Sequence, residues 1–202
     1  MSDIKSIADR ISYIRATESP LSADVGLIFG DRYLWLYDVG NLAETTAALN
    51  DIGRPKIAVL SHFHPDHIGG LSELRCENVY LGGKTLKYVG FGEVVSSDIF
   101  VDDGVQLHIF PLPSSHAQGS LGLEVGDYAF LGDGIYATVK SGRTVYNAGL
   151  LQAQIARLKS LSAKYFLLSH DERFVILRKE VISALEEIYS RRRKDEPYIP
   201  AE

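Results

Sequence analysis

Apolar positions in the first third of the chain recur with the short period of strands. Ile11 to Arg15, Val25 to Phe29 and Tyr33 to Tyr37 are rich in β-branched and aromatic residues and predict three strands. The Gly30-Asp31 pair between the last two predicts a hairpin turn. A helix is expected from Asn41, as N-cap, to Asn50, with Gly53 and Pro55 closing it. Ile57 to Ser61 follows, an apolar run too short for a helix and so a buried strand. Further strands are predicted at Val79 to Leu81, Val105 to Phe110, Leu121 to Val125 and Tyr128 to Leu131, with a second hairpin turn at Gly126-Asp127. The period then lengthens. Leu151, Ile155 and Leu158 repeat at i, i+4, i+7, as do Val181, Leu185 and Ile188, so two amphipathic helices flank one more apolar strand, Tyr165 to Leu168.

Meandering strands with amphipathic helices predict sheet packed on sheet, and no linker, repeat or low-complexity tract divides residues 1–202 into more than one domain. Twenty-one Lys+Arg against 26 Asp+Glu give a net charge of −5, which offers no overall electrostatic support to a nucleic-acid partner. No apolar run is long enough to cross a membrane, and the first residues do not read as an export signal. A lone Cys76 leaves no internal disulfide, so a cytoplasmic, reducing setting is expected. The arginine-rich tail after Ser190 reads as a solvated helix end.

The six histidines change this picture, because they are not scattered. His62, His64, Asp66 and His67 fall within six positions at a strand-to-helix junction, an H-x-H-x-D-H run. Imidazoles two apart in an extended segment point to opposite faces, so His62 and His64 can share an ion only if the chain turns between them. Pro65 fixes φ and helps enforce that turn, and Gly69 and Gly70 permit close backbone packing beneath it. His116, Asp133 and His170 each end or precede an apolar strand. Together they give five His and two Asp, enough for two metal ions. His108 lies on the outward face of its strand and is read as a surface residue, not a ligand.

These ordered motifs resemble the metallo-β-lactamase superfamily. The resemblance runs from Asp38-Val39-Gly40, similar to the family's early D-x-G element, through H-x-H-x-D-H to His170. It implies an α/β (α+β) fold, the four-layer αββα sandwich. It further implies that His62, His64 and His116 hold one divalent metal, that Asp66, His67 and His170 hold a second, and that Asp133 bridges them. Ser169 and Asp171 flank His170 where many members have glycines, a departure that bears on the shape of that loop.

Two such ions lower the pKa of a shared water towards 7 and polarise a carbonyl, with Asp66 and Asp133 orienting the hydroxide. Zinc is favoured, since flavodiiron-type members usually have Glu where His64 stands; iron or manganese also suit His/Asp donors. Tyr136, three residues after Asp133, is expected to donate to a developing oxyanion, a spacing that resembles acyl-homoserine lactone lactonases. No G-x-S-x-G, P-loop, H-E-x-x-H or G-x-G-x-x-G competes. The expected function is a hydrolase of a small ester, lactone or thioester. The alternatives are a small-substrate phosphodiesterase and a metal-stabilised binding or sensing domain without turnover. Only 32 residues follow His170, which disfavours a glutathione thioester, and residues 82 to 104 and 134 to 150 are expected to wall the pocket.

Overall fold

The computed structural model describes residues 3–201. Their strands form two main sheets. The first has seven strands, in the spatial order Ile4–Ala8, Ile11–Ile14, Val25–Phe29, Leu34–Tyr37, Lys56–Val59, Cys76–Leu81 and Glu93–Val94. The second has six, in the order Ile99–Asp102, Gln106–Leu112, Ser120–Val125, Tyr128–Gly132, Tyr165–Leu168 and Val175–Leu177.

Alternation along each strand sorts side chains into three apolar layers. In the hairpin of the first sheet, Ile28 pairs with Trp35 and Leu27 with Leu36. Ile28, Trp35, Tyr37 and Val59 face the second sheet and meet Ile109, Leu123, Phe130 and Leu167. Leu27, Leu34, Leu36 and Leu60 face the other way, onto Leu49 of the Ala43–Asp51 helix and Leu71 of the short Gly69–Glu73 turn. Beyond the second sheet, Phe110, Leu131 and Phe166 pack on Leu151, Ile155 and Leu158 of the Ala148–Ser160 helix and on Val181 and Leu185 of the Arg178–Ser190 helix. The order of layers is helix, sheet, sheet, helix, as the family resemblance implies.

Three local readings need correction. The first helix starts at Ala43 with Leu42 as N-cap and no side-chain cap. Asn41 is engaged elsewhere: its amide donates to Ser22 Oγ at 3.3 Å, and it packs so closely on Gly69 that a Cβ there would lie 2.7 Å from Asn41 Cβ. The C-terminal segment is more than a solvated helix end. After Ser190 the chain returns as the strand Tyr198–Pro200, pairs with Arg143–Asn147, and buries Ile199. Its two apolar residues were too few to register as a period. His108 is half-buried instead of lying free on the surface. Its ring nitrogens sit 2.9 Å from both Asp98 Oδ2 and Glu124 Oε2, and its ring stacks on Phe100. Glu124 stands directly opposite it in the strand register, a pairing invisible along the chain.

Parallel strands set where chemistry can gather. Leu34–Tyr37, Lys56–Val59 and Cys76–Leu81 run parallel in the first sheet, and Tyr128–Gly132 is parallel to Tyr165–Leu168 in the second. Their carboxyl ends therefore open at one rim, the usual place for a site in sheets of this kind. The Leu121 amide donates to the Ser61 carbonyl at 2.8 Å and ties the two sheets together there.

Candidate metal centre

Each donor leaves a strand end at that rim. Past Lys56–Val59 the chain reaches His62, then turns at His64 into the short helix Pro65–Ile68 with Pro65 in its first turn, which places Asp66 and His67 on the inside. The turn is seated closely: the Gly70 amide donates to the Gly40 carbonyl at 2.8 Å, and a Cβ on Gly70 would lie 3.1 Å from the Val39 carbonyl oxygen. Asp133 follows Gly132, where a φ of +54° and a Cβ that would lie 2.9 Å from Ser61 Cβ admit only glycine comfortably. His170 follows Tyr165–Leu168 with its own backbone left-handed, at φ +63°.

The structure brings all seven residues together in two groups, His62, His64, His116 and Asp133, and Asp66, His67 and His170. His64 Nδ1 lies 2.8 Å from His62 Nε2 and 3.1 Å from His116 Nε2. Asp133 Oδ2 is 3.4 Å from both His116 Nε2 and His67 Nε2, and Asp133 Oδ1 is 3.9 Å from His170 Nε2, so this carboxylate stands between the groups. Asp66 Oδ2 is 3.1 Å from His170 Nε2 and 3.4 Å from His67 Nε2. Donors arranged tetrahedrally around zinc at ordinary bond lengths are spaced by about 3.3 Å, close to these separations.

Buried partners outside the cluster aim the rings. Asp38 is wholly buried; its Oδ2 accepts from His67 Nδ1 at 2.7 Å and its Oδ1 from the Ser61 amide at 2.7 Å. Ser61 Oγ lies 2.9 Å from His62 Nδ1. Both rings thereby present Nε2 inward, the carboxylate–histidine arrangement that fixes tautomer and direction. Asp24 supports the last loop. It accepts the His170 amide at 3.1 Å, forms an ion pair with Arg15 at 2.8 Å, and lies 3.3 Å from Ser169 Oγ; Arg15 in turn donates to the Asp171 carbonyl at 2.6 Å. The serine that departs from the family's glycine is thus part of the loop's anchor. Nothing near Asp24 and Arg15 in the sequence marks a functional position, whereas Ser61 adjoins His62 and reads there only as the end of its strand.

Electrostatics keeps two of the imidazoles neutral. Burial, and then the charges of neighbouring His67, His64 and His116, push the His62 imidazole well below its ordinary value. Burial and His116 lower His64 as well. Neutral imidazoles keep the lone pairs that a metal needs. His67 behaves oppositely: burial works against its charge, but Asp38 and Asp133 outweigh it and push it up to about 10. Burial opposes ionisation of Asp66, yet the hydrogen bond from His170 and the charge of His67 hold it below the ordinary carboxylate range.

The residues fit a metal. His67 Nε2 and Asp133 Oδ1 are buried, point into the cluster and have no hydrogen-bond partner, a cost that bound cations remove. His62, His64, His116 and Asp133 would hold one ion and Asp66, His67 and His170 the other, with Asp133 reaching both. His108 takes no part in either group. Tyr136 lies beside the cluster, its ring 6.4 Å from that of His116, and its hydroxyl donates to the Ser169 carbonyl at 2.7 Å. Within the expected pocket walls, Ala137 contacts His116 through its carbonyl, and Tyr88 stacks on Phe63.

Comparison with known proteins bears on the fold. The family model described as the metallo-beta-lactamase superfamily matches residues 19–80, which contain the H-x-H-x-D-H run and end before His116. The fold is that of the metallo-β-lactamase superfamily. A sec-alkylsulfatase from Pseudomonas sp. superposes with a TM-score of 0.70 at 14% identity, over 94% of this chain and 42% of that one. The metallo-β-lactamase SMB-1, bound to 2-mercaptoethanesulfonate, gives a TM-score of 0.70 at 14% identity over 91% of this chain and 93% of its own. A variant of the flavo di-iron protein of Thermotoga maritima gives 0.69 at 13% identity over 96% and 64%. This chain thus spans less than half of the sulfatase. No curated protein sequence matches it. Identities this low establish the superfamily's fold and leave the reaction to be argued from the site.

Proposed function

We propose that the protein is a dinuclear metal-dependent hydrolase, with zinc as its metal, acting on a small ester, lactone or thioester. The observation that carries this reading is the inward convergence of seven His and Asp donors with His67 Nε2 and Asp133 Oδ1 left without a hydrogen bond. When bound, divalent ions supply Lewis acidity and an acidified water at neutral pH. The chain's own residues do the rest. Asp66 and Asp133 present carboxylate oxygens on the inner side of the cluster, where they orient the attacking water and accept its proton. Tyr136 serves as donor to the developing oxyanion, exchanging the Ser169 carbonyl for the substrate oxygen. The net charge of −5 favours a small-molecule substrate over nucleic acid, and the single cysteine suits a cytoplasmic setting.

The test is hydrolysis of a panel of aryl esters, lactones, thioesters and bis-nitrophenyl phosphate by protein loaded with zinc. Turnover of a carboxylic substrate, falling about a hundredfold in Tyr136→Phe at unchanged metal content, is the expected result. Turnover of the phosphodiester alone would replace this reading with the phosphodiesterase one. No turnover by the metal-loaded protein would favour a binding or sensing domain.

A further inference from the structure

The Gly83–Val89 helix is clamped against the metal loops. A Cβ on Gly82 would lie 1.8 Å from the Gly119 carbonyl oxygen, and one on Gly119 would sit 3.5 Å from Lys84 Cβ. Gly119 is three residues past His116, so Lys84 leaves the backbone beside the loop bearing that donor. Phe63 approaches from the other side. Its ring lies 4.9 Å from that of His64 and stacks on Tyr88 at 4.6 Å, with 10° between the planes. Lys84 Nζ sits 5.8 Å from the Phe63 centroid and 5.7 Å from that of Tyr88. Phe63 thus neighbours both this ammonium and the His64 imidazole.

Among the described residues Lys84 forms no ion pair, whereas Lys164 is matched by Asp127 at 2.9 Å. Beside this aromatic stack its N–H donors are free for an anion. Behind Phe63 opens a cavity of about 370 Å³ lined by Pro65, Ile68, Val89 and Phe91. Tyr88 and Phe91 at its mouth are more than half exposed, so apolar surface lies uncovered next to the unmatched cation.

We propose that Lys84, with Phe63 and Tyr88, forms the selectivity subsite of the enzyme, taking a substrate that carries a carboxylate at Lys84 and an alkyl or aryl arm against the Phe63–Phe91 cavity. The inference rests on the hydrolase reading for its substrate class. It is tested with two matched esters, para-nitrophenyl hexanoate and the mono-para-nitrophenyl ester of adipic acid. The anionic ester should have the lower KM. Lys84→Gln should erase about tenfold of that preference, through KM, while Lys84→Arg retains it. An unchanged preference in Lys84→Gln overturns the subsite. If neither ester is hydrolysed, the hydrolase reading is judged on its own substrate panel, and the subsite is still decided by calorimetric titration with phenylbutyrate. Binding about tenfold weaker in Lys84→Gln supports it, and equal binding overturns it.

Discussion

The 62–67 run and the His170 loop bring histidines to the same cluster by opposite means. In the run, donors are contiguous and side chains aim the rings: Asp38 holds His67 and Ser61 holds His62. In the His170 loop a single donor sits on a left-handed backbone and is held through that backbone, with Asp24 accepting its amide and Arg15 tying Asp24 to the Asp171 carbonyl. Damage to the first support should misdirect a ring, whereas damage to the second should loosen a loop. The two supports are separable by what each one's loss disturbs.

Asp38→Ala is expected to have the largest effect. It strips His67 Nδ1 and the buried Ser61 amide of their acceptor, so stability should fall by about 3 kcal/mol and affinity for metal by 10- to 100-fold. Chemical denaturation and a competitive chelator titration read both numbers. Wild-type metal affinity in this variant would mean that His67 needs no aiming. Asp24→Ala should cost about 2 kcal/mol, because the His170 and Ala16 amides and the Arg15 guanidinium lose one shared carboxylate. Here one ion should weaken more than the other, and amide exchange around residue 170 should quicken. If exchange elsewhere rises equally, the loop is not a separate unit.

The same contrast explains what could be seen in the sequence. His62, His64, Asp66 and His67 are legible because their spacing lies within one turn of chain. The packing of sheet on sheet is legible because strand and helix periods alternate over lengths that only burial enforces, as at Val25–Phe29 and Ala148–Ser160, while the four-layer order is what the family resemblance implies. Asp24 and Arg15 were not legible, since they act on residues about 150 positions away. His108 was misjudged for the same reason: Glu124 and Asp98 reach it from other segments. The Tyr198–Pro200 strand exists only because Arg143–Asn147 offers an edge to pair with.

Asp103 is a support that lies outside the cluster. It is buried and accepts from Trp35 Nε1 at 3.0 Å and from the Arg32 and Tyr33 amides at 3.0 and 3.1 Å, bracing the hairpin of the first sheet. Burial pushes its carboxyl up, but these hydrogen bonds outweigh it and leave the group below the ordinary range. A depressed carboxyl contributes stability that is complete above its unfolded value, about pH 4, and drains away as pH falls through the folded one. Asp103→Asn should therefore cost about 1 kcal/mol at neutral pH and make the loss of stability on acidification shallower, with metal affinity unaltered. An acid limb as steep as that of the wild type would contradict this role.

Whether seven side chains form two cation sites is measured directly by zinc titration of chelator-treated protein with elemental analysis of the product. Two equivalents per chain should bind in the wild type, with one retained in a His170→Ala variant. Less than half an equivalent in the wild type, with no uptake on addition, would contradict the account.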